Sequence, residues 1–252
     1  MSIFLFFSIL TVLWQLCYMI FVEQLQWYKP YTFPSPAGVG SIFIELIQNG
    51  SLGDASVQSL LRGLTGYLIA IIIGAVIGIA LSHFKYLQKN LRPLILGVQT
   101  LPSVCWVPFS ILWFGLSSSA ILFVVVMGSA FSIAISIDNA IRHVPPIYIK
   151  AALTMGANHR QLYSKVIFHA CLPELVTGLK QGWSFAWRAL MAGEVMTTSI
   201  GLGQTLITGR DLADINQVTT VMLVIIAIGI IIDRLFFSTI EKKLLKKRGL
   251  CK

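Results

Sequence analysis

Residues 181–198, QGWSFAWRALMAGEVMTT, form an apolar stretch that two charged residues, Arg188 and Glu194, interrupt. Whether this stretch crosses a membrane decides the topology of the chain, because every segment that follows it changes side with it. A transmembrane helix needs about 20 mainly apolar residues to cross roughly 30 Å of hydrocarbon. The stretch is long enough for that, and only its two charges weaken the assignment.

The composition of the whole chain is that of a membrane protein. Of 252 residues, 56% are hydrophobic and 12% are charged, and the mean hydropathy is +0.80. These values exclude the disordered, collagen-like and disulfide-rich classes, and they argue against a soluble enzyme, whose surface needs more charge. The apolar runs predict spans at about 2–22, 60–82, 93–116, 119–140, 178–198 and 216–240. The first run lacks the basic start and cleavage site of a signal peptide, so we predict a retained helix.

The positive residues favour six spans. The chain has 19 Lys and Arg residues. If residues 178–198 cross the membrane, 15 of them share one face, three lie on the other and Arg188 lies within the span, as the positive-inside rule expects. We therefore predict an all-α membrane protein with six transmembrane helices and both termini in the cytoplasm. No binding motif or aromatic platform accompanies the charges, which argues against a nucleic-acid partner.

Two spans carry stripes of small or polar residues. In the second span, Gly66, Ala70, Gly74 and Gly78 recur every four positions, which lets another helix approach closely. Packing within one subunit is the favoured interpretation, and a contact between subunits is the alternative. The fourth span carries Ser132 on a polar face, which serves either hydrogen bonds between helices or a substrate path.

The third span cannot be one straight helix, because it contains Pro93, Pro102 and Pro108. Backbone groups that are freed at membrane depth must be covered by protein or line a wet cavity. Trp106 either forms a wall of such a cavity or packs against lipid and neighbouring helices.

Arg188 and Glu194 are candidate functional residues, because a charge at the centre of a membrane costs at least ~2.5 kcal/mol. Six positions correspond to roughly 600° of helical rotation, so the two side chains lie on different faces and do not neutralise each other. Arg188 either binds an anionic substrate or pairs with a carboxylate on another helix. Glu194 shares its face with Trp187. The candidate residues of a substrate path are Arg188, Glu194, Trp106, Ser132 and Trp187.

The sequence carries no catalytic or metal-binding constellation. HExxH and GxSxG motifs are absent, and the four histidines form no plausible pair of ligands. The GxxxxGK[ST] loop that holds ATP phosphates is absent as well. We expect no enzyme activity and no bound metal or cofactor, with any energy supplied by a partner.

The longest cytoplasmic segment in this topology is the loop at 145–177. Its pattern predicts two short helices: Pro146 suits a first turn, Gly156 ends the first helix, and Asn158 caps the second. Leu172-Pro173 is expected to end the second helix ahead of the fifth span. The pair suits either the docking of a soluble partner or an amphipathic position at the membrane surface.

The loop and several other stretches resemble a known family. Lys150–Ala157, KAALTMGA, resembles the EAA loop of ABC importer permeases. The stretches that narrow the resemblance to nitrate, sulfonate and taurine permeases are Pro34–Pro36, Leu112–Gly115, Gly182–Glu194, Gly201–Gly203 and Asp233–Arg234. Two departures stand out, since the loop has Lys150 in place of the usual glutamate and Phe168-His169 in place of a common Leu-Pro.

The resemblance implies a single transmembrane domain over residues 1–252, in a bacterial inner membrane. It implies a homodimer that works with two ABC ATPase subunits, which hydrolyse ATP, and with an extracytoplasmic substrate-binding protein. The loop residues that would couple to the ATPase are Lys150, Ala151, Ala152, Met155, Gly156 and Ala157.

The substrate that the resemblance implies is a small anion such as an aliphatic sulfonate, taurine or nitrate. One alternative is the same type of importer for a neutral pyrimidine precursor, which a related subgroup carries. The other is a carrier or channel that is driven by an ion gradient and needs no ATPase.

Overall fold

The computed structural model describes residues 3–29 and 31–247, and the regular structure in these ranges is helical, without strands. Arg248, Cys251 and Lys252 of the tail lie outside the described residues. The helices are α1 (Ile3–Tyr18) with a π-helical continuation (Met19–Gln24), α2 (Pro36–Gln48), α3 (Ser51–His83), α4 (Lys85–Gln99), a 3₁₀ turn (Ser103–Trp106), α5 (Val107–Phe114), α6 (Ser118–Arg142), α7 (Pro146–Thr154), α8 (His159–Gln161) with a π-helical continuation (Leu162–Ile167), α9 (Phe168–Val195), α10 (Leu202–Asp211), α11 (Ile215–Ile232) with a π-helical continuation (Asp233–Phe237), and α12 (Ser238–Lys247).

Several of these helices are long and apolar enough to cross a membrane. In the described ranges they are Leu5–Gln24, Ser51–His83, Ser118–Arg142 and Ile215–Leu244. The pair formed by α4 and the segment Ser103–Phe114 passes the same test as one broken span. α9, with 28 residues, is long enough but is not apolar enough to join this set.

The third apolar run is bent, which confirms that its prolines exclude a straight helix. α4 and the segment Ser103–Phe114 meet at an angle of 99°, and Pro102 lies in the break between them. Pro93 is accommodated inside α4. Pro108 occupies the first turn of α5, where the missing N–H has no helical partner to lose.

The described chain separates into two compact units, the first comprising residues up to Leu60 with Glu194–Ile228 and the second comprising the rest. In the first unit, α2 begins at a capped turn. The Ser35 hydroxyl accepts the Gly38 N–H at 3.0 Å, and the Ser35 N–H donates to the Asn216 side chain at 3.0 Å. The second of these bonds joins the start of α2 to the start of α11.

Helix α6 runs through the core of the second unit and packs against α3. A Cβ on Gly74 would lie 2.8 Å from the carbonyl oxygen of Ala130, and a Cβ on Gly78 would lie 2.6 Å from that of Ala134. The two backbones therefore approach too closely for a side chain to lie between them. This confirms that the stripe of small residues packs within one chain.

The expectation that the second loop helix ends at Leu172-Pro173 is wrong. α8 continues through its π-helical segment into α9, which holds Pro173 in its interior. An interior proline costs about 3 kcal/mol, whereas burying a large aliphatic side chain gains roughly 1.5–3 kcal/mol. Leu162 and Ile167 are both buried in one cluster with Cys171. The free energy gained by burying them offsets the cost of the interior proline. The helix is unbroken from His159 to Val195.

Replacing Gly78 by alanine tests the contact between α3 and α6. The new methyl group would meet the Ala134 carbonyl oxygen at 2.6 Å, and overpacking of this kind costs ~1–3 kcal/mol. We expect the thermal unfolding midpoint of the purified chain in detergent to fall by several degrees. Gly53→Ala is the matched control on the same helix, because nothing lies within 4 Å of its added methyl group. Equal midpoints for the two variants would contradict the close approach.

Candidate functional site

A cavity of about 310 Å³ lies in the second unit, where α4 gives way to the bend. Its walls are residues 98–103, Trp106, Met127, Gly128, Phe131, Phe185 and Arg188. Gly128 lets these segments converge, because a Cβ on it would lie 2.7 Å from the Ala189 side chain and 3.3 Å from that of Ser103. The bend, α6 and α9 thus enclose a space lined in part by irregular backbone, which membrane proteins tolerate at such a cavity.

Arg188 supplies the positive charge of this cavity. Its Nε–H donates to the Ser184 carbonyl oxygen at 3.1 Å, and its guanidinium lies 4.7 Å from the centre of the Phe185 ring. No carboxylate in the described part of the chain forms an ion pair with it. The two terminal amino groups accordingly stay available for a ligand, and their planar fork suits an oxyanion.

A second hollow, of about 420 Å³, also borders Arg188. It is lined by Arg188 with Trp183, Ser184 and Trp187 of α9 and with Gly229, Ile230, Asp233 and Arg234 of the last span. The Asp233 carboxylate is paired with Lys180 at 3.3 Å. Arg188 and Arg234 form no ion pair among the described residues, so both cations of this hollow lack a carboxylate partner.

The aromatic and polar candidates divide between these walls and the core. Trp106 lines the first cavity. Trp187 lines the second, where its ring stacks on that of Trp183 at 5.9 Å. Ser132 is buried in α6 and is not among the lining residues of either cavity. Its neighbour on the stripe, Ser129, bonds to the backbone of its own helix.

Glu194 lies in the first unit, fully buried. Its carboxylate accepts hydrogen bonds from the Ser59 hydroxyl at 2.7 and 2.8 Å and from the Gly203 N–H at 3.0 Å. The Ser59 oxygen in turn accepts the Leu202 N–H at 2.9 Å. A Cβ on Gly201 would lie 2.6 Å from the carboxylate. These hydrogen bonds hold the turn that leads into α10.

A second buried carboxylate, Asp138, is absent from the sequence-derived candidates. It pairs with Arg92 at 3.0 Å and with Arg142 at 2.6 Å, and Arg142 also donates to the Leu81 carbonyl oxygen at 2.8 Å. The cluster ties the ends of α3 and α6 to α4. The spacing of Asp138 and Arg142, four residues apart on one helix, was the available signal, but it did not reveal Arg92.

The loop after α6 forms the predicted helix–turn–helix. Gly156 has φ +79°, and the N–H groups of Gly156 and Ala157 donate to the carbonyl oxygens of Leu153 and Ala152. This is the Schellman pattern that favours glycine after a helix. Asn158 begins α8 with a capping box that is completed by Gln161, so the predicted roles of Gly156 and Asn158 are confirmed.

The two helices of the loop share a small core and expose an apolar face. Ala152 is buried and Ala157 packs on the same cluster. The large apolar side chains on the outside are Ile147, Tyr148, Leu153, Met155 and Tyr163, each at least half exposed. Lys150 and Ala151 are exposed as well. Of the six predicted coupling residues, Ala152 therefore supports the loop from inside, while Lys150, Ala151, Met155 and Gly156 are open to a partner.

The chain matches the model of a known protein family. Residues 66–244 match the binding-protein-dependent transport system inner membrane component. This match covers both cavities' lining residues and the whole loop.

Three curated relatives agree with this family. A protein described as an ABC transporter permease of Methanocaldococcus jannaschii is 30% identical over 232 residues, which cover 90% of this chain and 85% of the relative. One described as an aliphatic sulfonates transport permease of Bacillus subtilis is 30% identical, and the match covers 86% of this chain and 78% of the relative. The taurine transport system permease of Escherichia coli is 27% identical, and the match covers 77% of this chain and 70% of the relative.

A solved structure supports the fold. An inward-facing form of the MetNI methionine ABC transporter contains a chain that superposes with a TM-score of 0.60 at 20% identity. The match covers 75% of this chain and 95% of that one.

Proposed function

Because the chain belongs to the binding-protein-dependent transport system inner membrane component family, a non-enzymatic family of transport permeases, we propose that it imports a small anionic nutrient. The chain is an ABC transporter permease of importer type and a multi-pass membrane protein. Its substrate is an aliphatic sulfonate, taurine or nitrate, in keeping with the names of its sulfonate and taurine relatives.

The observation that carries the anion proposal is the environment of Arg188. A cation without a carboxylate partner at membrane depth is costly unless a ligand uses it, and Arg188 borders both of the cavities described above. Trp106 and Trp187 provide apolar walls on either side. An anion would pass from one cavity to the other along the guanidinium.

The proposed topology has six spans with both termini in the cytoplasm. The apolar helices and the bent pair account for five spans, and α9 is the sixth. Its charges fit this assignment, because Arg188 borders cavities and Glu194 is enclosed in hydrogen bonds. The membrane is the inner membrane of a bacterium.

The proposed assembly is a homodimer of this chain with two ATPase subunits and an extracytoplasmic binding protein. This chain has no P-loop, so ATP is bound and hydrolysed by the partner. The exposed apolar face of α7, together with Met155 directly after it, would enter a groove of the ATPase. ATP binding and substrate each bias an equilibrium between inward- and outward-open states, and the loop transmits the motion as a rigid body.

Two alternatives are less well supported. A neutral pyrimidine precursor would leave the Arg188 charge without a counter-charge. A carrier driven by an ion gradient would have no use for the exposed loop face, and the family match disfavours it.

Purification of the tagged chain from native membranes in mild detergent separates importer from carrier. We expect a P-loop ATPase to co-purify in equal amount, because the loop face needs a partner to cover it. The complex should then show substrate-stimulated ATPase activity in vesicles. Transport by the isolated chain in vesicles without ATP would overturn the importer assignment.

Arg188→Met tests the anion site. We expect ATP-driven uptake of the anion to be lost, while the complex still assembles, because the guanidinium forms no ion pair among the described residues that its removal would break. Arg188→Lys keeps the charge but not the planar fork, and we expect it to retain part of the uptake. Arg210→Met, which removes an exposed arginine paired with Asp211, is the matched control. Normal uptake by Arg188→Met would remove this residue from the path.

Gly156→Val tests the coupling loop. A β-branched residue at φ +79° is strained, although nothing lies within 4 Å of a Cβ at this position. We expect ATP-driven uptake to fall at least tenfold, through uncoupling or loss of the ATPase. Asparagine tolerates this backbone conformation, so Gly156→Asn should keep most of the uptake. A normal rate for Gly156→Val would exclude a docking role for the turn.

A further inference from the structure

The charged cluster at Asp138 lies on α6 between the loop and the first cavity. The Asp138 carboxylate is fully buried and accepts hydrogen bonds from Arg92 of α4 at 3.0 Å and from Arg142 of α6 at 2.6 Å. None of these three residues lines either cavity. The proposed anion site therefore makes no direct use of them.

Arg92 holds α6 at two points. Its Nε–H donates to Asp138 at 3.0 Å, and its Nη2 donates to the side-chain oxygen of the next residue, Asn139, at 2.9 Å. Hydrogen bonds are directional, so two of them on adjacent residues restrict both the sliding and the rotation of α4 on α6. Buried ion pairs are often no more stabilising than apolar residues of the same volume, whereas they can specify register. What Arg92 adds to this helix contact is thus a defined register.

The contact between α4 and α6 continues from the ion pair to the cavity. Ile95 of α4 and Ile135 of α6, each three positions from the ion pair, are buried in one cluster. Phe131, one turn further along α6, packs against this cluster and lines the cavity, and Val98 lines it from α4. At about 1.5 Å per residue, the ion pair lies roughly 10 Å along the helices from the cavity wall.

On the other side of the ion pair, α6 enters the core of the loop. Ala140 and Val144 are buried in one cluster with Ala152 of the first loop helix and Leu162 of the second. Because side chains packed in this way move together, a displacement of the loop also moves the end of α6. No described residue of α4 belongs to this cluster, so α4 is connected to it through α6.

Resting on the proposed anion transport, we infer that Arg92 and Asp138 are positioning residues for the transport step. They hold α4 in register on α6, so that the part of the cavity wall carried by α4 moves with the coupling loop. Without the ion pair, α4 slides against α6. Movement of the loop then reaches the cavity that Arg188 borders only in part, and ATP is hydrolysed without import.

Two variants at the same carboxylate test this role. Arg92→Met and Arg142→Met each remove one arginine from Asp138. Arg92→Met releases α4, which carries part of the cavity wall. Arg142→Met instead removes the bond to the Leu81 carbonyl oxygen of α3, and α3 contributes no lining residue to the cavity. Arg142→Met is therefore the matched control, and we expect similar falls in the thermal unfolding midpoint for both.

Coupling is measured in vesicles that contain the complete complex with its ATPase and binding protein. The anion is taurine, ethanesulfonate or nitrate, whichever the unmodified complex imports fastest. The rate of ATP hydrolysis divided by the rate of uptake gives the ATP consumed per anion imported. We expect this ratio to rise about fivefold in Arg92→Met and to stay unchanged in Arg142→Met. Arg92→Lys keeps a positive charge beside Asp138 and should restore most of the coupling.

Asn139→Ala is a second and milder variant, which decides the matter if Arg92→Met fails to assemble. It removes the 2.9 Å bond from Arg92 but leaves both ion pairs of Asp138 in place. We expect the ATP consumed per anion to rise about twofold.

Two results would overturn the inference while leaving anion transport by the unmodified complex intact. An equal rise in Arg92→Met and Arg142→Met would make the cluster a structural unit in which α4 has no special part. An unchanged ratio in Arg92→Met, or in Asn139→Ala where only that variant assembles, would mean that apolar contacts alone keep α4 in register. If the unmodified complex hydrolyses ATP but imports none of the three anions, the proposed function fails first, and this inference fails with it.

Discussion

When a helix breaks in an apolar environment, its unpaired backbone N–H and C=O groups must be covered by protein or line a cavity. The arrangement of the second unit follows from this requirement. α4 ends at Gln99, the chain turns by 99°, and residues 100–102 have no helical ladder of their own. α6 and α9 supply the cover, and Gly128 permits the close approach. The space that remains between the bend, α6 and α9 is the cavity that Arg188 borders. The site is therefore a consequence of how these helices pack around the bend.

The surrounding contacts leave little room for local adjustment. Gly74 and Gly78 bring α3 against the α6 backbone, and Gly182 brings α9 against Ile133, where a Cβ would lie 2.5 Å away. Interfaces packed this closely do not deform continuously. Asp138 adds a charged clamp on α4 and α6. Any change in access to the cavity therefore involves helices that move together rather than side chains that swing aside.

Sequence patterns predicted the features that depend on local chemistry. The bend, the small-residue stripe, the capped loop helices and the different faces of Arg188 and Glu194 all follow from residue type and spacing. The features that depend on tertiary partners could not be predicted in this way. Pro173 is a helix breaker locally, and only the cluster around Leu162 and Cys171 keeps the helix intact. Asp138 needed Arg92, which lies 46 residues away in the chain.

The unbroken helix changes how the loop and the cavity can communicate. Because Pro173 does not end the helix, one continuous element leads from the Asn158 cap through the loop core to Arg188. At about 1.5 Å per residue, the part from Asn158 to Arg188 spans roughly 45 Å. A displacement of the loop by a docked partner would reach the guanidinium through this helix without crossing a flexible joint. α6, which leads into the same loop, carries Gly128 and Phe131 on the cavity wall. The two helices that flank the loop are thus two of the walls whose separation sets the width of the site.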